Sequence, residues 1–405
     1  MKALPGRSLA ILLVVLLSFS LLGIFNVKAQ EFLKISIKPD GTIEPETNLL
    51  ERNVNTYTFK GDIYGTIWVQ KGSITIDGAG YNLRVAGQEL EAISGIEMIE
   101  QKNITITRLS INGFNNRNDA IYINKVNNIT IENCTITDTR IGINVYHSLN
   151  IRLTQNKFTD FERTTIHTQN CTNLYITDNY ISGSTDFHYP KGLHIGHSQN
   201  STISQNTISD CYYGIEIHAC YGITLCRNYF SKNNEGIYIV YGGENLVTEN
   251  TVIDSQSFGI RLSSGETYPP NTIYHNNFIN NNMENISEFL QVSNPWYFGP
   301  ESNIWDNGKE GNYWSDYKMR YPEAQEVDNN GVYNIAFFIN PENLDNYPLV
   351  NPWTPDTTEP TPSPSPEPTP SPESESDFPT IQLLSLALTV IIGLGILAYS
   401  MRRRP

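Results

Sequence analysis

The sequence predicts an all-β fold, a right-handed parallel β-helix of about nine coils, from two repeated columns of residues. In the first column, Gly (Ala or Thr in weaker copies) precedes an aliphatic residue, a variable residue and a second aliphatic residue, which suits a strand with one buried face. Copies recur at steps of 22 or 23 residues, with one of 27, starting at Ala120, Gly142, Thr165, Gly192, Gly214, Gly236 and Gly259. A fixed period of this length is typical of a solenoid, and parallel crossovers are nearly always right-handed.

The second column consists of asparagines, at Asn156, Asn179, Asn206, Asn228, Asn250 and Asn276. A buried amide without partners is costly, so we expect these side chains to stack on successive coils, about 4.8 Å apart, and to bond to one another. Gly and Asn would also supply the turns between strands, because both tolerate left-handed backbone angles. A helical solenoid is disfavoured because the repeat lacks runs of good helix formers.

Both ends of the chain differ in composition from the repeats. Residues 1–29 have the pattern of a secretion signal, with an uncleaved N-terminal anchor as the alternative, whereas 354–379 form a Pro, Ser, Thr and Glu tract that cannot build a core. Residues 380–401 carry no charge and are long enough to cross a bilayer. The predicted organisation is a signal peptide at 1–29, an N-terminal cap at 30–58, the β-helix at 59–290, a C-terminal cap at 291–353, a stalk at 354–379, a transmembrane helix at 380–401 and a cytoplasmic tail at 402–405.

The predicted location is the outer face of a cell membrane. Three arginines at 402–404 mark the cytoplasmic side, so the β-helix would stand outside the cell on its stalk as a single-pass protein. The net charge of −15 disfavours nucleic acid as a partner. Six Asn-X-Ser/Thr triplets are candidate glycosylation sites, at Asn103, Asn128, Asn133, Asn170, Asn200 and Asn285.

The five cysteines show no spacing that suits a metal site. By the register of the repeats, Cys171 and Cys220 share a column but lie two coils apart, which is too far for a disulfide. We therefore expect the cysteines to serve mainly as small core or surface residues.

Several segments of the chain resemble a known family. They are Ile74-Thr75-Ile76-Asp77-Gly78-Ala79-Gly80, the repeated phrases of the coils, Gly311-Asn312-Tyr313-Trp314-Ser315-Asp316-Tyr317 and Asp345-Asn346-Tyr347-Pro348-Leu349. Over about residues 60–350 the chain resembles the NosD-type periplasmic copper-binding β-helix family. The resemblance implies a right-handed, pectin-lyase-like β-helix and raises copper or zinc as a cofactor. Stalked, membrane-anchored versions resemble archaeal surface proteins, whereas the stretch 326–333 departs from the family by its few acidic residues.

Residues 291–353 contain four tryptophans, at Trp296, Trp305, Trp314 and Trp353. The last coil of a solenoid leaves an open β edge that must be covered, so we expect these rings to pack into a C-terminal cap. Stacking on sugar rings is the alternative role for aromatic side chains of this kind.

Candidate chemistry lies on the outward side of the strands that carry the Gly phrase. Residues two and four positions after each Gly point to solvent if the alternation is regular. The column at plus two reads Glu97, Tyr122, Asn144, His167, His194, Glu216, Tyr238 and Arg261, and the column at plus four includes Tyr146 and His218. We therefore expect His167, His194, Glu216 and His218 to cluster on one face, beneath a loop at 183–191 that carries Asp186.

The histidines of this face suit one kind of chemistry. His167, His194 and His218 could ligate a transition metal such as copper or zinc, because neutral imidazole is a common ligand of both. A solvated strand face that binds nothing is the alternative interpretation of the same residues.

A second kind of chemistry acts on sugars. Glu216 with Asp186 could form an acid/base pair. The polysaccharide would then be held by Tyr122, Tyr146, Tyr238 and Arg261. Glu216 is the only acid expected among the histidines, however, and Arg261 lies two coils away, which disfavours catalysis.

Three functions remain open on the sequence alone. The leading hypothesis is a non-catalytic surface protein that binds glycans or neighbouring proteins of the cell envelope and is held in the membrane by its C-terminal helix. The second is a polysaccharide lyase or hydrolase. The third is a protein that handles copper or another metal.

Overall fold

The computed structural model describes residues 32–85, 94–183, 189–263, 268–282, 292–293 and 302–355. They form an all-β parallel β-helix of about nine turns, as predicted from the repeat. Within this part of the chain no helix is long and apolar enough to span a membrane. The predicted signal, the membrane helix at 380–401, the cytoplasmic tail and nearly all of the stalk lie outside the described residues. The right-handed winding and the domain boundaries stay predictions.

Each turn contributes strands to three faces, and strands of successive turns pair in parallel. The first face carries the Gly phrase and contains Leu33–Ile37, Ile63–Val69, Ser94–Ile99, Lys191–Gly196, Glu235–Gly243, Phe258–Ser263 and Val292–Ser293. The second face contains Thr56–Phe59, Ile74–Asp77, Lys102–Thr107, Asn127–Glu132, Leu149–Thr154, Thr172–Thr177, Gln199–Ser204, Leu246–Thr248 and Thr272–Tyr274. The third face contains Asn82–Arg84, Tyr180–Ser182, Thr207–Ser209, Tyr229–Ser231, Thr251–Ile253, Asn277–Ile279 and Tyr313–Trp314.

Some strands are long enough to bend from one face to the next. Ser110–Asn124, Thr135–Tyr146 and Lys157–Gln169 run from the third face into the first, and Tyr213–Cys226 runs from the first into the second. The remaining elements are Ile43–Glu44, Leu50–Asn53, a short helix at Tyr317–Arg320, and the antiparallel pair Phe337–Asn340 and Asn343–Asp345.

The asparagine column forms a buried ladder, which confirms the sequence prediction. The backbone N–H of Asn179 and its side-chain Nδ2 both donate to Oδ1 of Asn206, at 3.0 and 2.9 Å. The same two contacts join each member to the next from Asn156 to Asn276. Because every ladder amide is buried and bonded on both atoms, the ladder ties adjacent coils at a fixed register.

The glycines of the repeat have a different role from the one predicted. The expectation that they supply left-handed turns is wrong, since Gly142, Gly192, Gly214 and Gly236 do not have positive φ. A Cβ at any of these positions would lie 2.5–2.7 Å from a backbone carbonyl oxygen of the next coil, so close approach excludes a side chain there. The left-handed turns before the ladder asparagines are made instead by other residues, at Gln155, Asp178, Gln205, Arg227, Glu249 and His275.

Aliphatic and aromatic side chains fill the interior along the axis. The five cysteines are free thiols, and Ser198 lies between Cys171 and Cys220 in their shared column, as the register predicted. The five described asparagines of the glycosylation triplets are all exposed, and Asn285 lies outside the described residues. Their modification stays a prediction.

The residues after the last coil cover its open end. Trp314 is 1 % exposed and stacks on Phe278 of the last coil at 4.6 Å and on Phe337 at 4.2 Å. Its indole Nε1 donates to the buried carboxylate of Asp345 at 2.9 Å. Trp305 is equally buried, so these two rings are not available to sugars. These contacts support the interpretation of the segment as a cap; Trp296 lies outside the described residues.

Candidate functional site

The plus-two column forms a continuous strip along the first face. The strand pairings place its side chains on consecutive coils in the order Trp68, Glu97, Tyr122, Asn144, His167, His194, Glu216, Tyr238 and Arg261. The order from Glu97 to Arg261 is the one predicted, and Trp68, which is 46 % exposed, extends the column by one coil. At about 4.8 Å per coil, these eight steps span roughly 38 Å. We call this column the polar strip.

A second column, missed by sequence reasoning, contributes to the same surface. The residue before each Gly phrase points outward, because position zero and position plus one are both buried and the alternation therefore shifts by one. This flanking column contains Asp119, Lys191, Tyr213 and Glu235. The sequence does contain a signal for this column. A Gly is followed directly by an aliphatic residue, so two adjacent positions face inward and the residue before them faces outward.

The flanking column brings charges next to the strip. Lys191 Nζ forms an ion pair with Glu216, and His194 Nδ1 lies 3.2 Å from Glu216 Oε2. Burial alone would raise the pKa of the Glu216 carboxyl, but the hydrogen bonds from His194 and Lys191 outweigh it and hold that pKa at about 2. The prediction that Glu216 is the only acid among the histidines does not include the lysine beside it. Glu216 is a fixed anion near neutral pH.

A second polar chain lies one coil away. Asp119 Oδ1 accepts from Arg140 Nη2 at 2.9 Å, and Asp119 Oδ2 accepts from Asn144 Nδ2 at 2.6 Å. Asn144 Oδ1 in turn lies 2.8 Å from His167 Nδ1. Burial, together with the neighbouring His194 and Lys191, lowers the pKa of His167 to about 4, so its imidazole is neutral at pH 7.

The two histidines of the strip do not converge on one point. The rings of His167 and His194 stack with centroids 4.8 Å apart and an angle of 12° between their planes. The lone pairs of two rings stacked in parallel planes lie in those separate planes, whereas two imidazoles on one tetrahedral ion must aim at the same centre. His218 packs against His197 and Tyr241, with ring centroids at 5.3 and 5.7 Å.

This arrangement does not fit a copper or zinc centre. Among the described residues no group of three or more His, Cys, Asp or Glu side chains is arranged to hold a metal ion. Copper or zinc binding by His167, His194 and His218 therefore stays a prediction drawn from the residue types of this face and from the family resemblance.

Aromatic side chains lie on both sides of the central charges. Tyr122 and Tyr146 lie 5.9 Å apart between ring centroids, and Tyr146 lies 5.5 Å from the ring of His167. Toward the other end, Tyr213 stacks on Tyr238 at 5.3 Å. The tyrosines predicted to bind a ligand therefore lie in the same row as the histidines. Tyr213, which was not predicted, lies in that row as well.

The far end of the strip holds a third charge pair. The guanidinium of Arg261 lies 4.8 Å from the ring centroid of Tyr238 and donates to Glu235 Oε1 at 2.9 Å. Glu235 is almost fully buried, and that burial raises its pKa. Arg261 is thus held over the ring of Tyr238 by a buried acid.

One predicted residue and one glycine complete the description of the site. Asp186 lies outside the described residues, so its pairing with Glu216 stays a prediction. At plus four, Gly196 accommodates the side chain of Gln169, because a Cβ there would lie 2.3 Å from Gln169 Oε1 and 3.3 Å from His194 Nε2.

The family predicted from the sequence is now decided by comparison. The profile of the family described as "Periplasmic copper-binding protein (NosD)" matches residues 70–257 and 224–319, which together cover more than half of the 405-residue chain. The chain belongs to the NosD family. The resemblance stated from the coil phrases is thereby confirmed, and the family's description places its members in the periplasm. A search of curated proteins finds no match to the NosD-family chain described here.

Solved structures with similarity to this NosD-family chain include several carbohydrate-active proteins. The periplasmic alginate epimerase AlgG is 18 % identical with a TM-score of 0.43, covering 59 % of this chain and 67 % of its own. The GH136 lacto-N-biosidase from Eubacterium ramulus is 12 % identical with a TM-score of 0.42, covering 61 % of this chain and 51 % of its own. DFA-IIIase from Arthrobacter chlorophenolicus A6 in complex with GF2 is 14 % identical with a TM-score of 0.39, covering 53 % and 56 %. Similarity of this size leaves the function to be argued from this chain's own side chains.

Proposed function

We propose that this NosD-family protein binds an extended, neutral polysaccharide along the polar strip, as a non-catalytic module of the cell envelope. The observation that carries the proposal is the unbroken row of aromatic and hydrogen-bonding side chains in register from Trp68 to Arg261. A linear polymer that lies along the solenoid axis would meet equivalent positions on successive coils. Each coil would then contact about one sugar unit of the polymer.

The charges of the strip favour a neutral ligand over a polyanion. Three cations at or beside the strip lie against carboxylates: Arg140 against Asp119, Lys191 against Glu216, and Arg261 against Glu235. Paired cations offer little net attraction to a uronic-acid polymer, and the net charge of −15 repels one at long range. Hydroxyl groups of neutral sugars suit paired carboxylates, amides and imidazoles as hydrogen-bond partners.

Aromatic rings provide the apolar part of sugar recognition. Trp68 is 46 % exposed at one end of the strip, and Tyr122 and Tyr238 are half-buried within it. Rings held in place by neighbours can stack on the apolar face of a pyranose at low entropic cost.

The test uses purified full-length protein and a panel of soluble neutral polysaccharides (β-glucan, mannan and galactan) beside polygalacturonate. Affinity electrophoresis should show retardation by at least one neutral polymer and weaker binding after Trp68→Ala or Tyr238→Ala. The matched control is Tyr229→Ala, because Tyr229 is 44 % exposed but lies on the third face. Retardation by polygalacturonate alone, or equal loss in the control, would contradict the proposal.

Catalysis on a bound glycan is the second candidate function, and the contact of Lys191 and His194 with Glu216 favours it. These groups could accept and donate protons within one site. A hydrolase with Glu216 as its acid does not suit a carboxyl with a pKa of about 2, so Glu216 would act as a base or as an electrostatic partner. Release of reducing ends or of unsaturated products from a bound polymer, lost in Glu216→Gln with binding retained, would establish this activity.

We also propose that the chain is tethered to the membrane by residues 380–401, with the β-helix outside. Support comes from the uncharged run itself and the arginines that follow it. The full chain should remain in the membrane fraction after alkaline carbonate washing, and a chain ending at residue 379 should be released. Equal release of both chains would contradict the tether.

A further inference from the structure

Asp119 lies beneath the polar strip and controls the orientation of a neighbouring amide. It is 5 % exposed, and its two carboxylate oxygens accept from Arg140 and from Asn144 Nδ2. Burial raises the pKa of the Asp119 carboxyl, and the contacts with Asn144 and Arg140 oppose that rise. Beside the permanently charged guanidinium, both carboxylate oxygens are placed as acceptors. Asn144 must then direct its NH₂ group toward Asp119 and its carbonyl oxygen away from it.

The orientation of Asn144 fixes the tautomer of His167. With its NH₂ group committed to Asp119, Asn144 presents Oδ1 to His167 Nδ1 at 2.8 Å. An acceptor facing Nδ1 requires the proton to be on Nδ1, and a neutral imidazole carries only one. His167 Nε2 therefore bears a lone pair and acts as an acceptor.

His194 is held in the same way by a different acid. Its Nδ1 lies 3.2 Å from Glu216 Oε2, an acceptor, so of the two neutral tautomers this contact selects the one with the proton on Nδ1 and a lone pair on Nε2. The two rings stack at 4.8 Å on adjacent coils. With both protons on Nδ1, the Nε2 atoms of these two stacked rings are acceptors on adjacent coils.

We propose that His167 and His194 form a paired acceptor subsite for hydroxyl groups on consecutive units of the bound glycan, and that Asp119 is the positioning residue for His167. This rests on the proposed binding of a polysaccharide along the strip. The ligand class follows from the chemistry: sugars with free hydroxyl groups donate to both nitrogens, whereas their O-methylated forms cannot. One coil step is close to the length of one sugar unit, so neighbouring units can reach neighbouring rings.

The tautomers are measured directly in the full-length ¹⁵N-labelled protein by long-range ¹H–¹⁵N spectra of the imidazoles, assigned with His167→Gln and His194→Gln. Both rings should carry their proton on Nδ1. In Asp119→Asn the new amide can donate as well as accept, so Asn144 is released and His167 should populate both tautomers while His194 does not change. Glu216→Gln is the matched control and should affect His194 but leave His167 unchanged. A wild-type His167 protonated on Nε2, or no change in Asp119→Asn, would overturn the positioning role without any binding measurement.

Binding tests the subsite itself. Loss of one hydrogen bond should weaken binding of the retained neutral polysaccharide about 5- to 10-fold in Asp119→Asn, and O-methylation of the polymer should weaken binding to the wild type by more than that. The subsite would be overturned if the wild type binds a neutral polymer, Asp119→Asn binds it equally well, and O-methylation of the polymer does not weaken binding. The proposed function would then remain intact. No binding of any neutral polymer by the wild type would overturn both, so the two failures are distinguishable.

Discussion

Asn206→Ala is the sharpest test of the ladder that sets the register of the whole solenoid. Asn206 is 1 % exposed, and its side chain makes contacts on both atoms. Its Oδ1 accepts from the backbone and side chain of Asn179, and its Nδ2 donates to Asn228 Oδ1 at 2.9 Å and to two backbone carbonyls at 2.8 and 3.0 Å. Alanine removes all of these contacts and leaves the Asn179 N–H buried without its ladder partner.

The size of the effect follows from that orphaned donor. A buried N–H without a partner costs about 1–3 kcal/mol, and the other lost bonds add roughly 1 kcal/mol because their acceptors keep a second donor or a strand partner. We therefore expect Asn206→Ala to lower the free energy of unfolding by about 2–4 kcal/mol. Urea unfolding should show a lower midpoint at an unchanged slope, and hydrogen exchange should accelerate at the amide of Asn179.

The matched control is Asn127→Ala. Asn127 is exposed, does not have positive φ, and accepts at its Oδ1 from Asn150 Nδ2 at 2.9 Å in an outer row of asparagines. Water can replace that contact, so the control should cost less than about 1 kcal/mol. Equal destabilisation by both substitutions, or normal protection at Asn179 in Asn206→Ala, would refute the ladder as the source of register.

Three further outcomes follow from the same structure. Gly196→Ala places a Cβ 2.3 Å from Gln169 Oε1 and should displace that side chain over the strip. We expect titration calorimetry to show glycan binding weakened several-fold, and the midpoint of unfolding to be unchanged. The pKa of Glu216 is lower in the folded protein, at about 2, than in the unfolded chain, so its contribution of on the order of 2–3 kcal/mol is complete above about pH 5 and is lost as pH falls toward 2. Glu216→Gln should therefore flatten the stability profile between those pH values in calorimetric scans. Gly311→Ala brings a Cβ to 1.8 Å from Asp345 Oδ1 and should lower the thermal midpoint by more than Gly196→Ala does.

Each of these outcomes has a result that contradicts it. Unchanged binding in the Gly196 variant would mean that the Gln169 side chain does not border the bound glycan. If the stability of Glu216→Gln falls as steeply as that of the wild type between pH 5 and pH 2, the ion pair does not stabilise the fold. A stable Gly311 variant would mean that the buried carboxyl tolerates displacement.

The sequence was sufficient for the register because the spacing of the asparagines and of the Gly phrase is nearly constant. Once Asn179 lies next to Asn206, every residue two positions after a Gly falls in one column, and the predicted order from Glu97 to Arg261 follows. The neighbours of that column were not predictable by regular alternation. Lys191 comes to Glu216 only because two consecutive residues, Gly192 and the one after it, both face inward.

Side-chain direction was the second limit of sequence reasoning. Spacing places His218 on the same surface as His194 but does not determine its rotamer, and its ring contacts are with His197 and Tyr241. The contact of Trp314 with Asp345 joins residues 31 positions apart with no repeat between them. Packing of irregular segments depends on shape, which a periodic pattern does not encode.

The polarity of the ladder explains why the family resemblance is informative about architecture but not about ligand. Within the ladder each asparagine accepts from the asparagine before it and donates to the one after it, so the last member needs an acceptor beyond it. Asn312 receives the bonds of Asn276, and the Asp345 carboxylate accepts from the Asn312 backbone N–H at 2.7 Å. Gly311 leaves room for that carboxylate, and Trp314 donates to it.

The two C-terminal motifs that carry the resemblance are therefore the terminator of the ladder. Their role depends on where the stack ends and not on what its outer face binds. Specificity has to reside in side chains that the ladder does not constrain, which are the outward columns that contain Lys191, His167 and Tyr238. Members of the family could thus share a cap and a core while differing along the strip, and a ligand named for one of them does not transfer to another without the matching strip.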